Sequence, residues 1–496
     1  MLIPLLAVAA RLIPGLRIID DAYITFRYAR NLLAGHGLVY NSGEAVLGTT
    51  TPLFALLMAG MGLLSGGDQA PFPTLAVLVN AIADGFSCWL LIRTARQLKH
   101  EQAGIAAALI WAIAPWSVTF AIGGMETSVF VALAISTFYL DLRGRPVGAA
   151  LCASLCLLCR PDALLFIAPL LVERLRRILP EGRLNRSRQP VSWREGVAFG
   201  VPLVAWLILA TAYYGTPIPH TIAAKSAAYH LPAEAGLVRL LQHFATPFLG
   251  DELFGGWWIA VGLIVFPALY AIGVFTSLRR TPRAWPFLFY PLVHITAFAI
   301  ANPLLFRWYL TPPLLFYFLG IFLGVAALGE VSRQRWLLPL AGVAALALTL
   351  SGWTLQPDHG PQRPAPRMAY IKLELLYQEA ADTLSEMAKP DDILAAGDIG
   401  ALGYWTNMRV VDTVGLISPS AAKYYPLPAS SYVINIAIPS ALVLDLEPDW
   451  LVMLESYGRE TLLKDSQFLA RYGLVHTIPT DIYESHGMLI FRRNAP

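Results

Sequence analysis

The sequence is short of charge. Only 14% of its 496 residues are Asp, Glu, Lys or Arg, while 56% are apolar; soluble domains average roughly 25% charged and about 45 to 50% apolar. That shortage excludes one large soluble enzyme, and the apolar excess excludes a disordered chain. A net charge of +3 without a basic arm excludes a nucleic-acid binder, which needs clustered cations to neutralise phosphates. Cysteine is scarce as well. Cys88, Cys152, Cys156 and Cys159 all sit in apolar runs, so neither a disulfide framework nor a zinc site is expected, although the last three share one helical face. They read as small buried hydrophobes. What is left is a polytopic α-helical membrane protein.

The little charge there is falls unevenly. Residues 1–353 carry 25 Lys and Arg against 16 Asp and Glu, a net of +9, whereas residues 354–496 carry 11 against 17, a net of −6. A membrane part over 1–353 and a soluble part over 354–496 are expected. Since a spanning helix needs about 20 mostly apolar residues, spans are predicted near 2–19, 71–92, 102–122, 125–140, 146–159, 161–172, 196–214, 254–278, 284–301, 309–329 and 336–353, about 11 in all. The first run contains Arg11 and Arg17 and lacks the basic start of a signal peptide, so it reads as a first span.

Orientation follows from the bias of Lys and Arg toward cytoplasmic loops. With the N-terminus inside, the cytoplasmic loops hold 17 of the 25 basic residues, including seven arginines from Arg174 to Arg194. Apart from Arg11 and Arg17 in the first span, the outer side keeps six: Arg27, Arg30, Arg160, Lys225, Arg239 and Arg307. An odd number of spans puts the polar tail outside too. The chemistry is therefore expected on the outer face, where no nucleotide is available. The tail reads as a small extracytoplasmic α/β domain. Residues 368–388 have helix composition, and short strands are predicted at Ile393 to Ala396, Val410 to Thr413, Trp450 to Leu454 and Met488 to Phe491.

The segment 20–70 is too long and too patterned for a connector. It reads Asp20-Asp21-Ala-Tyr-Ile-Thr-Phe-Arg27-Tyr-Ala-Arg30-Asn-Leu, then Gly35-His36-Gly37-Leu-Val-Tyr-Asn41-Ser-Gly-Glu44, then Thr50-Thr51-Pro52. Ala22, Phe26, Ala29 and Leu33 share one helical face and Arg27 and Arg30 lie on another, which predicts an interfacial helix capped by its aspartates and stopped at Gly35. This run resembles the first extracytoplasmic loop of GT-C glycosyltransferases, in particular the group of the mycobacterial terminal arabinofuranosyltransferase. Weaker matches follow at Gly124-Met125-Glu126-Thr127, Arg160-Pro161-Asp162, Pro219-His220-Thr221 with Lys225, Arg307-Trp308-Tyr309, Gly397-Asp398-Ile399-Gly400 and Val411-Asp412-Thr413.

The resemblance implies a GT-C fold over 1–353 and inverting transfer of a sugar from a polyprenyl-phosphate donor to an envelope glycan, lipid or protein acceptor. By resemblance Asp20 is the base that takes the acceptor proton, with Asp21 orienting it. The leaving phosphate gains charge, so scarce outer-face cations should meet it: Lys225 and Arg307 first, then Arg160 and Arg27. His36, Glu126 and His220 are candidates for donor or acceptor contact. The outer loops contain no Asp-x-Asp, so neither metal nor other cofactor is expected.

Each assignment has a plainer rival. The aspartates could only cap a helix, Arg27 and Arg30 could snorkel, Arg160 could pair with Asp162 or Glu126, and the histidines could be hydrogen-bonded loop residues. Asn80 and Asp84, four apart within a span, are expected to pair with other helices. Gly397, Gly400 and Gly403 follow a strand but have the wrong spacing for a dinucleotide loop. For the whole chain, the rival is a transporter or lipid-sugar flippase. Transporters favour internal repeats and midplane polar sites, and neither is evident here.

Overall fold

The computed structural model describes residues 2–178, 191–355 and 363–495. Arg183, Arg186 and Arg188, counted above among the cytoplasmic arginines, lie outside the described residues. Every apolar run carries helix, but five helices are long and apolar enough to cross a bilayer: Phe72–Gln97, Trp193–Tyr214, Gly256–Arg280, Pro282–Ala301 and Arg307–Ser332. A sixth is added if Glu101–Ile113 and Pro115–Ile122, bent by 46° at their junction, form one broken span. The apolar helices Leu2–Leu12, Thr127–Leu142, Pro146–Cys159 and Leu337–Ser351 are shorter. The expectation of about 11 full spans is thus corrected, and proline and glycine supply the reason. Pro14 and Gly15 (φ +80°) stop the first helix at Leu12, and Pro115, which has no N–H to donate, opens a new helix where the third run bends.

By their internal contacts the residues form two compact units that do not follow chain order. The first comprises Met1–Arg17, Ala76–Trp206 and Ala233–Tyr370, and the second Ile18–Leu75, Leu207–Pro232 and Ile371–Pro496.

In the first unit, helices approach closely where side chains are smallest. A Cβ on Gly273 would lie 2.0 Å from the Gly320 carbonyl oxygen, and one on Gly324 would lie 1.9 Å from that of Leu269. Helices Gly256–Arg280 and Pro312–Ser332 therefore cross backbone to backbone, as small residues allow in lipid. Buried charges on Arg11 and Asp84 are matched. Asp84 accepts from Arg11 Nε (3.0 Å), Trp111 Nε1 (2.9 Å) and Ser128 Oγ (2.7 Å), while Arg11 also donates to Ser117 Oγ (2.9 Å) and to backbone carbonyls. Asn80 donates to the carbonyls of Ala121 and Met125. Both polar residues of that span hold helices together, in line with their spacing.

The second unit is built on a five-stranded sheet: β1 (Ile393–Ala396), β2 (Arg409–Asp412), β3 (Trp450–Leu454), β4 (Tyr472–Ile478) and β5 (Met488–Arg493). Its order is β2-β1-β3-β5-β4, parallel for the first two pairings and antiparallel for the last two. β3 is buried throughout, as expected of a central strand of apolar residues. The helix Lys372–Met387 buries Leu376, Tyr377, Ala380, Ala381 and Leu384 at helical spacing. β4 was not legible in the sequence. It is an edge strand with only its ends buried and Leu474 and Val475 facing outward, so its pattern does not alternate.

Candidate active site

The predicted outer-loop helix forms over Asp20–Leu33, in the second unit. Its aspartates do not cap it: the N-cap position is Ile19 and makes no side-chain cap bond. The Asp20 carboxylate instead caps another helix, Gly400–Thr406 of the tail. Its Oδ2 accepts from the Gly400 N–H (2.9 Å) and its Oδ1 from the Ala401 N–H (2.7 Å). Two orphan donors of a helix start are satisfied by one carboxylate. Gly400 has to be glycine for this approach, since a Cβ there would lie 1.8 Å from the Asp20 carbonyl oxygen. Gly403 lies as close to Tyr40. The Gly-x-x-Gly spacing thus marks a surface against which the outer-loop helix packs, not a nucleotide loop.

Arg27 is buried and its donors are spent on the fold: on the carbonyls of Tyr40 (2.8 Å), Gly403 (2.6 Å) and Met408 (2.6 Å), and on Asn41 Oδ1 (3.3 Å). It does not snorkel, and four of its five N–H groups are taken by the fold. Arg30 donates to the Tyr404 carbonyl (2.8 Å) and lies 3.9 Å from that ring's centroid. Asn41 pairs with both backbone groups of Val410, taking its N–H (3.0 Å) and donating to its carbonyl (2.8 Å).

Asp21 is placed differently. Its side chain keeps 30% of its exposure, and its Oδ2 lies 3.5 Å from Lys225 Nζ. Lys225 belongs to the helix His220–Ala228, anchored by a bond from the His220 N–H to the Leu47 carbonyl (2.9 Å). The Pro219-His220-Thr221 and Lys225 motif thus meets the outer-loop motif. The His220 side chain is half-buried, and His36 is exposed on the turn between Gly35 and Gly37.

The tail adds two acids here. Asp398 is half-buried and accepts from the hydroxyls of Tyr377 and Tyr457. Burial raises the Asp398 carboxyl above the usual range, opposed by the two hydroxyls. Burial, and then the nearby Asp398, push the Asp20 carboxyl well above its ordinary value, opposed by the N–H groups of Ala401 and Gly400. Glu374, whose Oε1 faces the Asp20 N–H at 3.4 Å, is raised by burial to about 7. Asp412 acts locally, its carboxylate accepting from the N–H groups of Val414 (2.8 Å) and Ile417 (3.1 Å) and so holding the loop after β2. Asp398 was legible as part of a motif but not as a member of this group, because its neighbours come from distant segments.

The remaining candidates lie in the first unit. Arg160 forks onto both oxygens of Asp162 (2.9 Å each) and reaches Glu126 Oε1 (3.0 Å). It also donates to the Trp308 carbonyl (3.4 Å) and lies 5.1 Å from the Tyr309 ring centroid. The structural rival for Arg160 and Glu126 thus describes the geometry: they hold the Arg307-Trp308-Tyr309 turn. Arg307 itself is exposed and, among the described residues, forms no ion pair. It lines a cavity of about 520 Å³ with Arg239, Trp116, His243 and Arg367. His243 is buried, sits edge-on to Trp116 at 4.4 Å, and accordingly has its pKa pushed down to about 3, mainly by burial. Its Nδ1 and the Trp116 Nε1 have no partner among the described residues. The His243 Nε2–H donates to the Leu310 carbonyl (3.0 Å), so its open Nδ1 is an acceptor, while the indole N–H and the guanidinium groups are donors suited to an anionic group. No periodic pattern marks this cavity, which draws on five separate segments. Among the described residues, no group of three or more His, Cys, Asp or Glu is arranged to hold a metal.

Comparison with known proteins bears on the whole chain. A family described as "Domain of unknown function (DUF8728)" matches residues 369–491, the tail. Over 230 residues the chain is 30% identical to the terminal beta-(1->2)-arabinofuranosyltransferase of Mycobacterium tuberculosis, covering 42% of this chain and 35% of that protein. The match thus spans about a third of that relative's length. In structure, ArnT from Cupriavidus metallidurans, solved with undecaprenyl phosphate bound, superposes with a TM-score of 0.56 at 12% identity, covering 100% of this chain and 97% of that one. The archaeal oligosaccharyltransferase AglB from Archaeoglobus fulgidus, solved with an inhibitory peptide and a dolichol-phosphate, gives 0.54 at 13% identity over 91% and 68%. The fold is that of the GT-C glycosyltransferases. On this GT-C fold the outer-loop acid pair, Lys225 and the tail acid Asp398 belong to one compact unit, and the Arg307 cavity to the other.

Proposed function

We propose that the protein is an inverting glycosyltransferase of a bacterial cytoplasmic membrane. It moves a sugar from a polyprenyl-phosphate donor to an envelope glycan, lipid or protein on the outer face. In this reading the N-terminus is cytoplasmic, the tail is outside, and no metal takes part. The observation that carries it is the Asp20-Asp21 pair at the start of the outer-loop helix with Lys225 3.5 Å from Asp21, on a fold shared with proteins solved with polyprenyl-type phosphates bound.

The chemistry asks for little more. One carboxylate of the pair accepts the proton of the acceptor hydroxyl. The acceptor oxygen then bonds to the anomeric carbon as the bond from that carbon to the phosphate oxygen breaks, and the electron pair leaves with the polyprenyl phosphate. Cations near the leaving phosphate stabilise its growing charge; Lys225, in the same unit as the acid pair, is assigned that role. A transporter reading has less support, because the intramembrane acid such a protein would use, Asp84, is saturated by Arg11, Trp111 and Ser128.

The test is a panel of polyprenyl-phosphate sugars offered to the purified full-length protein in nanodiscs, with release of polyprenyl phosphate as readout. Release with at least one sugar is expected. Binding without release for every sugar would overturn the reading.

A further inference from the structure

We propose that Asp21 is the carboxylate that takes the acceptor proton, and that Asp20 is a positioning residue which fastens the base-bearing helix to the tail. This rests on the glycosyltransferase reading and names which member of the pair does the chemistry.

A general base has to present a lone pair to the acceptor hydroxyl at about 2.6 to 3.2 Å. Asp20 is poorly placed for that. It is 8% exposed, each carboxylate oxygen receives a backbone N–H of the tail at 2.9 or 2.7 Å, and its own N–H faces Glu374. The absence of a Cβ at Gly400 is what allows the two backbones to meet there.

Asp21 is one residue further, about 100° around the helix. Its carboxylate is the more open of the two, and Lys225 stands 3.5 Å away, beyond a tight hydrogen bond. That distance keeps a cation beside the carboxylate while leaving lone pairs for an incoming hydroxyl. Asp20, Asp398, Glu374 and Tyr229 are the other ionisable groups that act on this position.

The step balances without a further reactant. The acceptor O–H proton goes to an Asp21 oxygen, the acceptor oxygen bonds to the anomeric carbon, and the polyprenyl phosphate leaves with the electron pair.

Two arms test this on the full-length protein in nanodiscs. In the first, synthetic polyprenyl-phosphate arabinofuranose and polyprenyl-phosphate mannose are offered with water as acceptor. Asp21→Asn should lower kcat by about 10²- to 10⁴-fold with hydrogen-exchange protection of the Gly400 and Ala401 amides unchanged. Asp20→Asn should lower kcat by on the order of tenfold, as a displaced but intact base would, and should lose that protection. The acid limb of the kcat/KM profile should persist in Asp20→Asn and vanish from the residual rate of Asp21→Asn. Should Asp20→Asn abolish turnover with amide protection intact, or Asp21→Asn keep a wild-type rate, the assignment is overturned.

The second arm needs no turnover. Carbodiimide coupling to glycine ethyl ester, mapped by peptide mass, should label Asp21 and spare Asp20. The reverse pattern overturns the assignment. Wild-type protein that turns over neither lipid counts against the glycosyltransferase reading, while the labelling pattern still decides between the two aspartates.

Discussion

In the first unit, Arg11 answers Asp84, and Arg160 answers Asp162 and Glu126, each within 3.0 Å. In the second unit, Asp20 and Asp412 are buried on backbone N–H groups and Asp398 is half-buried on tyrosine hydroxyls, and among the described residues none forms an ion pair. Matched charges within a helical bundle are architecture: each ion's desolvation is offset by its partner, and the arrangement is locked. Unmatched buried acids have their proton affinities displaced, which is costly for a fold and useful for proton transfer. The same residue type thus reads differently in the two units, and the identity of its partners separates the cases.

The sharpest way to break the comparison is to unmatch a matched site. Arg160→Met leaves Asp162 and Glu126 buried without their cation and should cost about 3 to 5 kcal/mol, read as a lower thermal midpoint in detergent. An unchanged midpoint would mean that the network does not hold the fold. A smaller effect is expected at the tail contact. Gly400→Ala forces a Cβ against the Asp20 carbonyl and should cost about 1 to 3 kcal/mol, with faster exchange of the Ala401 amide. Equal exchange in variant and wild type would show that the backbones separate without cost.

A third effect is a pH dependence. Glu374 holds its proton up to about pH 7 in the fold, against about 4.3 for an unperturbed glutamate. The folded state therefore binds that proton more tightly than the unfolded one. The resulting stability is fully present below about pH 4 and is lost as pH rises through 7. Glu374→Gln should be more stable than wild type at pH 8 and flatten the slope between pH 5 and 8 in thermal unfolding. A slope identical to wild type would assign the pH dependence to another group.

Much of this organisation was legible locally. β1 and β3 were readable to the residue because short apolar runs between turn residues have few alternatives, and the outer-loop helix ended where its apolar face ended. The failures at the site share one cause. Arg27 sits on a polar face by phase, yet it is buried, because carbonyls from Gly403 and Met408 satisfy it. Asp20 stands where a helix cap would stand but caps a helix 380 residues away. Local pattern records a side chain's polarity, not which distant backbone will satisfy it. The span count failed for a local reason that was readable, since Pro14, Gly15 and Pro115 interrupt runs whose composition alone suggested full crossings.

Asn41 gives the chain a temporal order. β2 is an edge of the sheet, with backbone groups that would otherwise invite pairing with a foreign strand, and the Asn41 side chain occupies both polar groups of Val410 from 369 residues away. The stretch that seals this edge leaves the ribosome long before the strand it seals. A tail produced without residues 20–70 would expose this edge to other copies of itself.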